Sequence, residues 1–310
     1  MDIVFFGTPE FAVLPLKTLL DSGYEVLAVV TQPDRQSGRG RHLSACPVKV
    51  EAQQAGLKVL QPLKVRDAGF IEELRKINTE TIVVAAYGQI LPSSIIRLPK
   101  YGCINIHASL LPKYRGAAPI NWAIMNGEKK TGITTMLMDE GMDTGPILFQ
   151  AETEITPDDT AGSLSLKLSK TGADLIIDTL KGIESGSTKP APQSDGASYA
   201  PLLKKENGLI NWTKSAEELC NFIRGVNPWP GAYGFLEGER IKILKAVPLE
   251  EEGEVGIIRR VSRDEMIVGT GKGSISILEI QPPGKPVMPV NAFLQGRKIR
   301  EGMKFGSDKI

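Results

Sequence analysis

The strongest constraint in this sequence is an alternation in its first half. Short apolar runs at Ile3–Phe6, Val26–Val30, Lys58–Leu60 and Thr81–Ala86 are separated by helical stretches at Pro9–Leu20, Pro47–Ala55 and Phe70–Ile77. Strands divided by helices in this way form a mostly parallel sheet with helices on both faces, an α/β fold. Pro33 to Cys46 is polar and carries Gly38 and Gly40, so it reads as a long loop.

After Cys103 the pattern changes. Ile104–Ala108 reads as a strand and Pro119–Met125 as a helix. Gly132–Met138 and Pro146–Glu154 read as strands around the turn Asp139–Gly145. A long helix is expected from Thr156, a good cap, with Pro157 in its first turn. Leu164, Leu168, Leu175, Ile176, Leu180 and Ile183 form its apolar stripe. Residues 185–206, rich in Ser, Gly, Pro, Ala and Lys, suit a linker. Beyond them, Ser215 and Glu218 form a capping box, and Asn227–Gly231 breaks the chain. Only strand-like segments follow, at Arg240–Ala246, Gly256–Val261, Met266–Val268 and Ser274–Ile280. The expected organisation is a first domain over 1–184, a linker over 185–206, and a small β-rich barrel over 207–310.

Charge and cysteine usage narrow the function. With 37 Lys+Arg against 36 Asp+Glu, the net charge is +1, which excludes a globally basic nucleic-acid binder but not a local patch. No apolar run approaches the roughly 18–20 residues that span a bilayer. The N-terminus runs straight into a strand and does not read as a signal peptide. Cys46, Cys103 and Cys220 are scattered without a Cys-x-x-Cys, so a reduced, cytoplasmic chain without structural zinc is expected.

The chain has two histidines, His42 and His107. Alternation along a strand puts Asn105, His107 and Ser109 on one face and Ile104, Ile106 and Ala108 on the other. A hydrogen-bonded core histidine is the plain reading of His107 alone. Three polar side chains in a row on one face of a core strand favour a site, because buried polar groups must converge on partners. An amide beside an imidazole suits acyl transfer. The amide donates to an oxygen that becomes negative, and the imidazole moves a proton to or from nitrogen. No Gly-x-Ser-x-Gly is present, and Cys103 is expected on the packed face, so direct transfer between two bound substrates is favoured. Asp143 is the carboxylate expected to orient the imidazole, although Asp is also a common turn-former. Asp139, Glu140 and Asp143 lack the spacing of a calcium loop, and no metal is expected.

Ser109-Leu110-Leu111-Pro112 follows directly, with two leucines expected to be exposed as an apolar shelf. Gln89, Ile90 and Leu91 would add a wall from the neighbouring strand end, where ligands of such sheets bind. Gly7-Thr8-Pro9-Glu10 is not a dinucleotide fingerprint. Gly269–Ser274 has the wrong spacing for a phosphate loop and reads as a hairpin turn. Arg35, Arg39 and Arg41, on a Gly-hinged segment, suit phosphate contacts, with a solvated loop nearly as good a reading.

Asn105–Pro112, followed by Tyr114-Arg115-Gly116-Ala117-Ala118-Pro119-Ile120, resembles the core motif of the 10-formyltetrahydrofolate-dependent formyltransferases. The opening Phe6–Phe11, the Pro33-Asp34-Arg35 loop, Met142–Pro146 and Asn227–Tyr233 are similar to the branch that acts on methionyl initiator tRNA. The resemblance implies a Rossmann-like formyl-transfer domain and a C-terminal domain like an OB fold. It implies transfer of a formyl group from 10-formyltetrahydrofolate to the α-amine of methionyl initiator tRNA by a monomer. Asn105, His107 and Asp143 match the family's catalytic trio, Ser109–Pro112 its folate-binding stretch, and Arg35–Arg41 an insertion that meets the acceptor stem. Basic residues of the second domain (Arg259, Arg260, Arg263, Lys298, Arg300) would add to the tRNA surface. An amino-sugar formyltransferase, a purine-precursor formyltransferase, a formyl-folate hydrolase and a non-enzymatic RNA-binding relative are the rival readings.

Overall fold

A computed structural model describes residues 1–37 and 42–306 of the 310. The chain divides into two compact units. The first comprises Met1–Pro119, Lys130–Glu154 and Ser165–Ala200; the second comprises Ile120–Lys129, Ile155–Leu164 and Pro201–Ile310.

The strands in the first part of the chain are β1 Asp2–Gly7, β2 Glu25–Val30, β3 Arg35–Ser37, β4 His42–Ser44, β5 Val59–Leu60, β6 Thr81–Ala85, β7 Cys103–His107, β8 Lys130–Leu137 and β9 Ile147–Glu154. The helices are α1 Val13–Asp21, α2 Pro47–Gln54, α3 Ala68–Ile77, α4 Ser93–Ile96, α5 Pro119–Met125 and α6 Ala161–Glu184. The sheet order is β5-β2-β1-β6-β7-β8-β9. Pairing is parallel from β5 through β7, and β8 and β9 then run as an antiparallel hairpin against β7. This is the mostly parallel sheet that the alternation predicts, with the Rossmann-like character that the family resemblance implies.

Local chemistry explains the boundaries. Asp67 caps α3 by accepting from the N–H groups of Gly69 and Phe70, and Asn78 ends it in the left-handed region at φ +54°. Gly7 ends β1 where a side chain has no room: an added Cβ would stand 2.8 Å from Ala12 and 3.2 Å from the Ala85 carbonyl. On β7, Ile104 and Ile106 are buried, and Ile106 packs against Gly172 of α6. Each such buried side chain is worth roughly 1.5–3 kcal/mol relative to exposure.

Three expectations are corrected. The polar loop after Pro33 contains a hairpin, with Arg35 opposite Ser44 and Ser37 opposite His42. The long helix starts at Ala161, not near Thr156. Asp159 holds Thr156 in a turn by accepting from its N–H and its hydroxyl, each at 2.8 Å, and Thr160 then caps by accepting from Ser163 N–H. The C-terminal region also carries a helix after its strands, where α8 Val290–Gln295 follows Pro289.

That region contains α7 Ala216–Gly225, α8, and strands β10 Tyr233–Leu236, β11 Glu239–Leu249, β12 Ile258–Val261, β13 Met266–Gly269, β14 Ser274–Gln281, β15 Met288–Pro289 and β16 Phe305–Gly306. The antiparallel order is β12-β13-β14-β11-β10-β16, with β15 on β14. Its two ends meet through Ile258 N–H to Met303 O at 2.8 Å, Gly302 N–H to Ile258 O at 2.9 Å and Phe305 N–H to Gly256 O at 2.8 Å. The sheet therefore curls back on itself, which is the OB-like, barrel-type solution to exposed edges. Ser215 caps α7 in the expected box with Glu218. Among the described residues no helix is long and apolar enough to cross a membrane.

Candidate active site

The polar face of β7 is where the first unit gathers its chemistry. Asn105 and His107 project together toward Asp143, which lies in the turn between β8 and β9. Asn105 Nδ2 donates to Asp143 Oδ1 at 3.3 Å. His107 Nδ1 lies 3.6 Å from Asp143 Oδ2, an electrostatic contact longer than a hydrogen bond. Asp143 Oδ2 also accepts from Gly116 N–H at 2.8 Å. His107 Nε2 is 3.0 Å from the Tyr114 carbonyl. A carbonyl only accepts, so Nε2 carries a proton and Nδ1 is the nitrogen that faces the carboxylate. The imidazole is 6% exposed and the carboxylate 16% exposed, so both interact through little water.

Asp143 sits at φ +52°. A residue with a side chain in the left-handed region costs about 1–2 kcal/mol relative to the right-handed one. Asp relieves part of that cost by local hydrogen bonding, and here its carboxylate instead reaches Asn105 and Gly116. The side chain is thus held where glycine would be easier. Among the described residues, no three His, Cys, Asp or Glu side chains are grouped as metal ligands.

Other expected residues fall in different places. Ser109 is buried and donates to the Lys113 carbonyl at 2.6 Å, closing the turn after β7. Leu111 is buried, not exposed; Leu110 and Pro112 are half-buried. Leu91 is packed in the core with Ile95, Ile96 and Cys103. Ile90 is 86% exposed. Gln89 is tied to the preceding connection, accepting from Val65 N–H at 2.9 Å and donating to Leu63 O at 3.4 Å. Cys103 is not on the opposite face from His107, because positions 103, 105 and 107 share parity. Its separation comes from distance: four residues along a strand span about 13 Å. Its thiol lies 3.6 Å from the Ile95 carbonyl and is pushed up to about 12 by burial. Arg35 is exposed, with Nη2 3.4 Å from Gln32 Oε1, and Arg39 and Arg41 lie outside the described residues.

Several residues of the site carry no sequence signal of their own. Thr134, opposite His107 across β7–β8, donates to Ser109 O at 2.7 Å and accepts from Leu111 N–H at 3.0 Å. Gln150 Nε2 donates to both Thr134 Oγ1 and Leu111 O at 2.9 Å. Gln193 and Ser198, from the stretch with linker composition, bond to the turns that carry Asp143 and Tyr114. In the second region Arg259 and Arg260 are paired with Glu251 at 3.2 and 2.9 Å.

An amide donor, an imidazole and a carboxylate around one strand end can stabilise a negative oxygen and move a proton beside it. One Asn105 N–H faces Asp143 at 3.3 Å, and the amide carries a second N–H.

Comparison with known proteins identifies the family of the chain. The family model described as formyl transferase matches residues 1–180, and that of the formyl transferase C-terminal domain matches residues 202–298. A protein of Thermodesulfovibrio yellowstonii named methionyl-tRNA formyltransferase is 54% identical over 301 residues, 97% of each chain. One of the same name from Caldanaerobacter subterraneus subsp. tengcongensis is 53% identical, covering 97% of this chain and 99% of its own. The crystal structure of WlaRD, a sugar 3N-formyl transferase, in the presence of dTDP and 5-N-formyl-THF, superposes with a TM-score of 0.68 at 22% identity. That match covers 92% of this chain and 99% of WlaRD, and it bears on the fold alone.

Proposed function

This chain belongs to the formyl transferase family, and from that premise we propose that it moves a formyl group from 10-formyltetrahydrofolate to the α-amino group of methionyl initiator tRNA. The observation that carries the reading is the convergence of Asn105 and His107 on Asp143, in a chain alike from end to end to two bacterial enzymes of that activity.

The amine nitrogen attacks the formyl carbon, and the carbonyl oxygen becomes negative. Asn105 Nδ2–H donates to that oxygen, an interaction worth roughly 3–4 kcal/mol when well placed. The C–N bond to the folate then breaks. The amine gives up a proton and the folate nitrogen gains one. His107, backed by Asp143, assists that movement. Holding both substrates at one strand end supplies much of the remaining acceleration.

The folate would meet Ser109–Pro112 and Gln89–Leu91. Ile90, Leu110 and Pro112 keep side-chain surface for it, whereas Ser109, Leu111 and Leu91 are sealed in and would contribute through backbone. Arg35, Arg39 and Arg41 would contact the acceptor stem. Residues 207–310 would form a tRNA-contacting domain after a connection at 185–206, and the protein would work as a monomer in the cytoplasm. A net charge of +1 suits recognition by concentrated basic contacts and by shape. The test is a competition in which labelled formyl-folate is offered with charged initiator tRNA, an amino sugar and water. Label is expected on methionyl-tRNA. Label on the sugar, or free formate in the presence of the tRNA, would refute the assignment.

A further inference from the structure

We infer that Gln193 is a positioning residue for this transfer, clamping the Asp143 turn from a stretch of chain whose composition reads as a linker. The inference rests on the role proposed for Asp143. The Gln193 side chain is engaged at both ends. Nε2 donates to the carbonyls of Asp143 at 2.7 Å and Gly145 at 2.8 Å. Oε1 accepts from Arg115 Nε at 3.1 Å and Nη2 at 2.6 Å. Both N–H bonds of the amide and its oxygen are therefore in use.

The two carbonyls belong to the peptides that follow Asp143 and Gly145, so one amide fixes the peptide planes on either side of the Thr144-Gly145 pair. That is where the turn needs help, because Asp143 is in the left-handed region at φ +52°. Without an outside brace, Asp143 could relax toward the commoner right-handed region and swing its carboxylate away from β7. Asp139 braces the turn from within, accepting from Gly141 N–H at 3.0 Å and from the Thr144 hydroxyl at 2.7 Å, but as an acceptor it cannot bond the Asp143 and Gly145 carbonyls.

The same stretch braces the other partner of the imidazole. Ser198 Oγ accepts from Tyr114 N–H at 2.9 Å, and Arg115 N–H donates to Ser198 O at 2.8 Å. Tyr114 supplies the carbonyl beside His107 Nε2. Residues 193–198 thus hold both groups that face the ring, the carboxylate through Gln193 and the carbonyl through Ser198. Gln193 acts through Asp143 and not on the reacting atoms.

The experiment compares the full chain with Gln193→Ala and Gln193→Glu. The glutamate keeps the volume and an acceptor for Arg115 but has no N–H for the two carbonyls. It therefore separates the clamp from the Arg115 contact and stands in should the alanine variant fold poorly. In both variants kcat is expected to fall roughly 10²-fold, the cost of about an ångström of misplacement, with KM for the formyl donor little changed. A second readout is ¹⁵N NMR of the histidine rings in the protein without substrate, which is simple because the chain has two histidines. The His107 Nδ1 signal is expected to move in both variants in the direction seen for Asp143→Asn. If the wild-type chain transfers no formyl group to any acceptor, the proposed function fails while the nitrogen spectrum still reads the clamp. An active glutamate variant beside an impaired alanine one would overturn the inference in favour of Arg115. Unmoved His107 signals would also overturn it, even with a lowered melting temperature, because Gln193 would then be a structural contact only.

Discussion

Two glycine-rich turns of this chain look alike in sequence and differ in what occupies the difficult backbone position. Thr270–Gly273 joins β13 to β14, and Asp139–Gly145 joins β8 to β9; each closes an antiparallel pair. In the first, the left-handed residue is Gly273 at φ +76°, a conformation glycine adopts without steric cost. Thr270 closes that turn, its N–H donating to Gly273 O at 3.1 Å and its hydroxyl to Lys272 O at 2.8 Å. In the second, the left-handed residue is Asp143, and its carboxylate points away from its own turn toward residues 38 and 27 positions earlier in the chain. A turn that only reverses the chain puts glycine where the backbone is strained. A turn that presents a side chain keeps the side chain there; both turns are braced from elsewhere, the Gly273 turn by Gly271 N–H to Lys214 O and Ala216 N–H to Lys272 O, each at 2.9 Å.

Substitutions can break that contrast. The largest effect is expected for His107→Ala, with kcat for formyl transfer falling roughly 10²–10⁴-fold while the fold survives. Near-normal turnover in a steady-state assay would remove the imidazole from the mechanism. Asn105→Ala is expected to lower kcat about 10²–10³-fold, the range for one oxyanion donor; a change confined to KM would count against that role. Asp143→Gly relieves the left-handed backbone but loses the bonds to Asn105 and Gly116, so turnover falls about 10²-fold while urea denaturation gives a stability within about 1 kcal/mol of the parent. A large loss of stability would make Asp143 a structural residue.

The other turn is expected to respond in the reverse way. In Gly273→Ala the new Cβ would stand 2.5 Å from the Leu249 carbonyl in a left-handed backbone. Stability should drop by about 1–3 kcal/mol with kcat unchanged once the protein is folded. The smallest effect concerns the cap of α7. Glu218 is held down to about 2, from an ordinary 4.5, chiefly by the backbone N–H of Ser215 and then by Lys214. A carboxyl lowered by folding stabilises above its unfolded value, and that stabilisation is lost as pH falls from about 4.5 toward about 2. The group is half exposed, so the contribution is below about 1 kcal/mol. Glu218→Gln should flatten this part of the acid-unfolding curve; an unaltered curve would exclude the carboxylate from the cap.

Much of the fold was legible because it rests on local rules. The apolar runs that became β1, β2, β6 and β7 are buried strands, and helices separate β1, β2 and β6 as expected, whereas α4, between β6 and β7, was not read from the sequence. The Ser215–Glu218 box reads directly from four residues. The start of α6 was misread because Thr156 and Pro157 satisfy the rules for a helix start, yet Asp159 folds back on Thr156 and moves the start to Thr160. Exposure was harder to read. Leu111, read with Leu110 as an exposed shelf, is buried, its N–H and carbonyl tied to Thr134 and Gln150, and Leu91, read as part of a wall, packs with Ile95 and Ile96 in the core.

Within the candidate site, strand alternation by itself put Asn105 and His107 on one side, since a period of two leaves no other arrangement for residues two apart. The same alternation puts Cys103 on that side, and only distance and burial take it out of reach. Asp143 was named from its turn and the family resemblance, but tertiary structure alone brings it against the imidazole and lets Gln193 hold its turn and Ser198 hold Tyr114. Those contacts join residues 36 to 84 positions apart. Such pairings depend on where the chain returns, which no local propensity encodes.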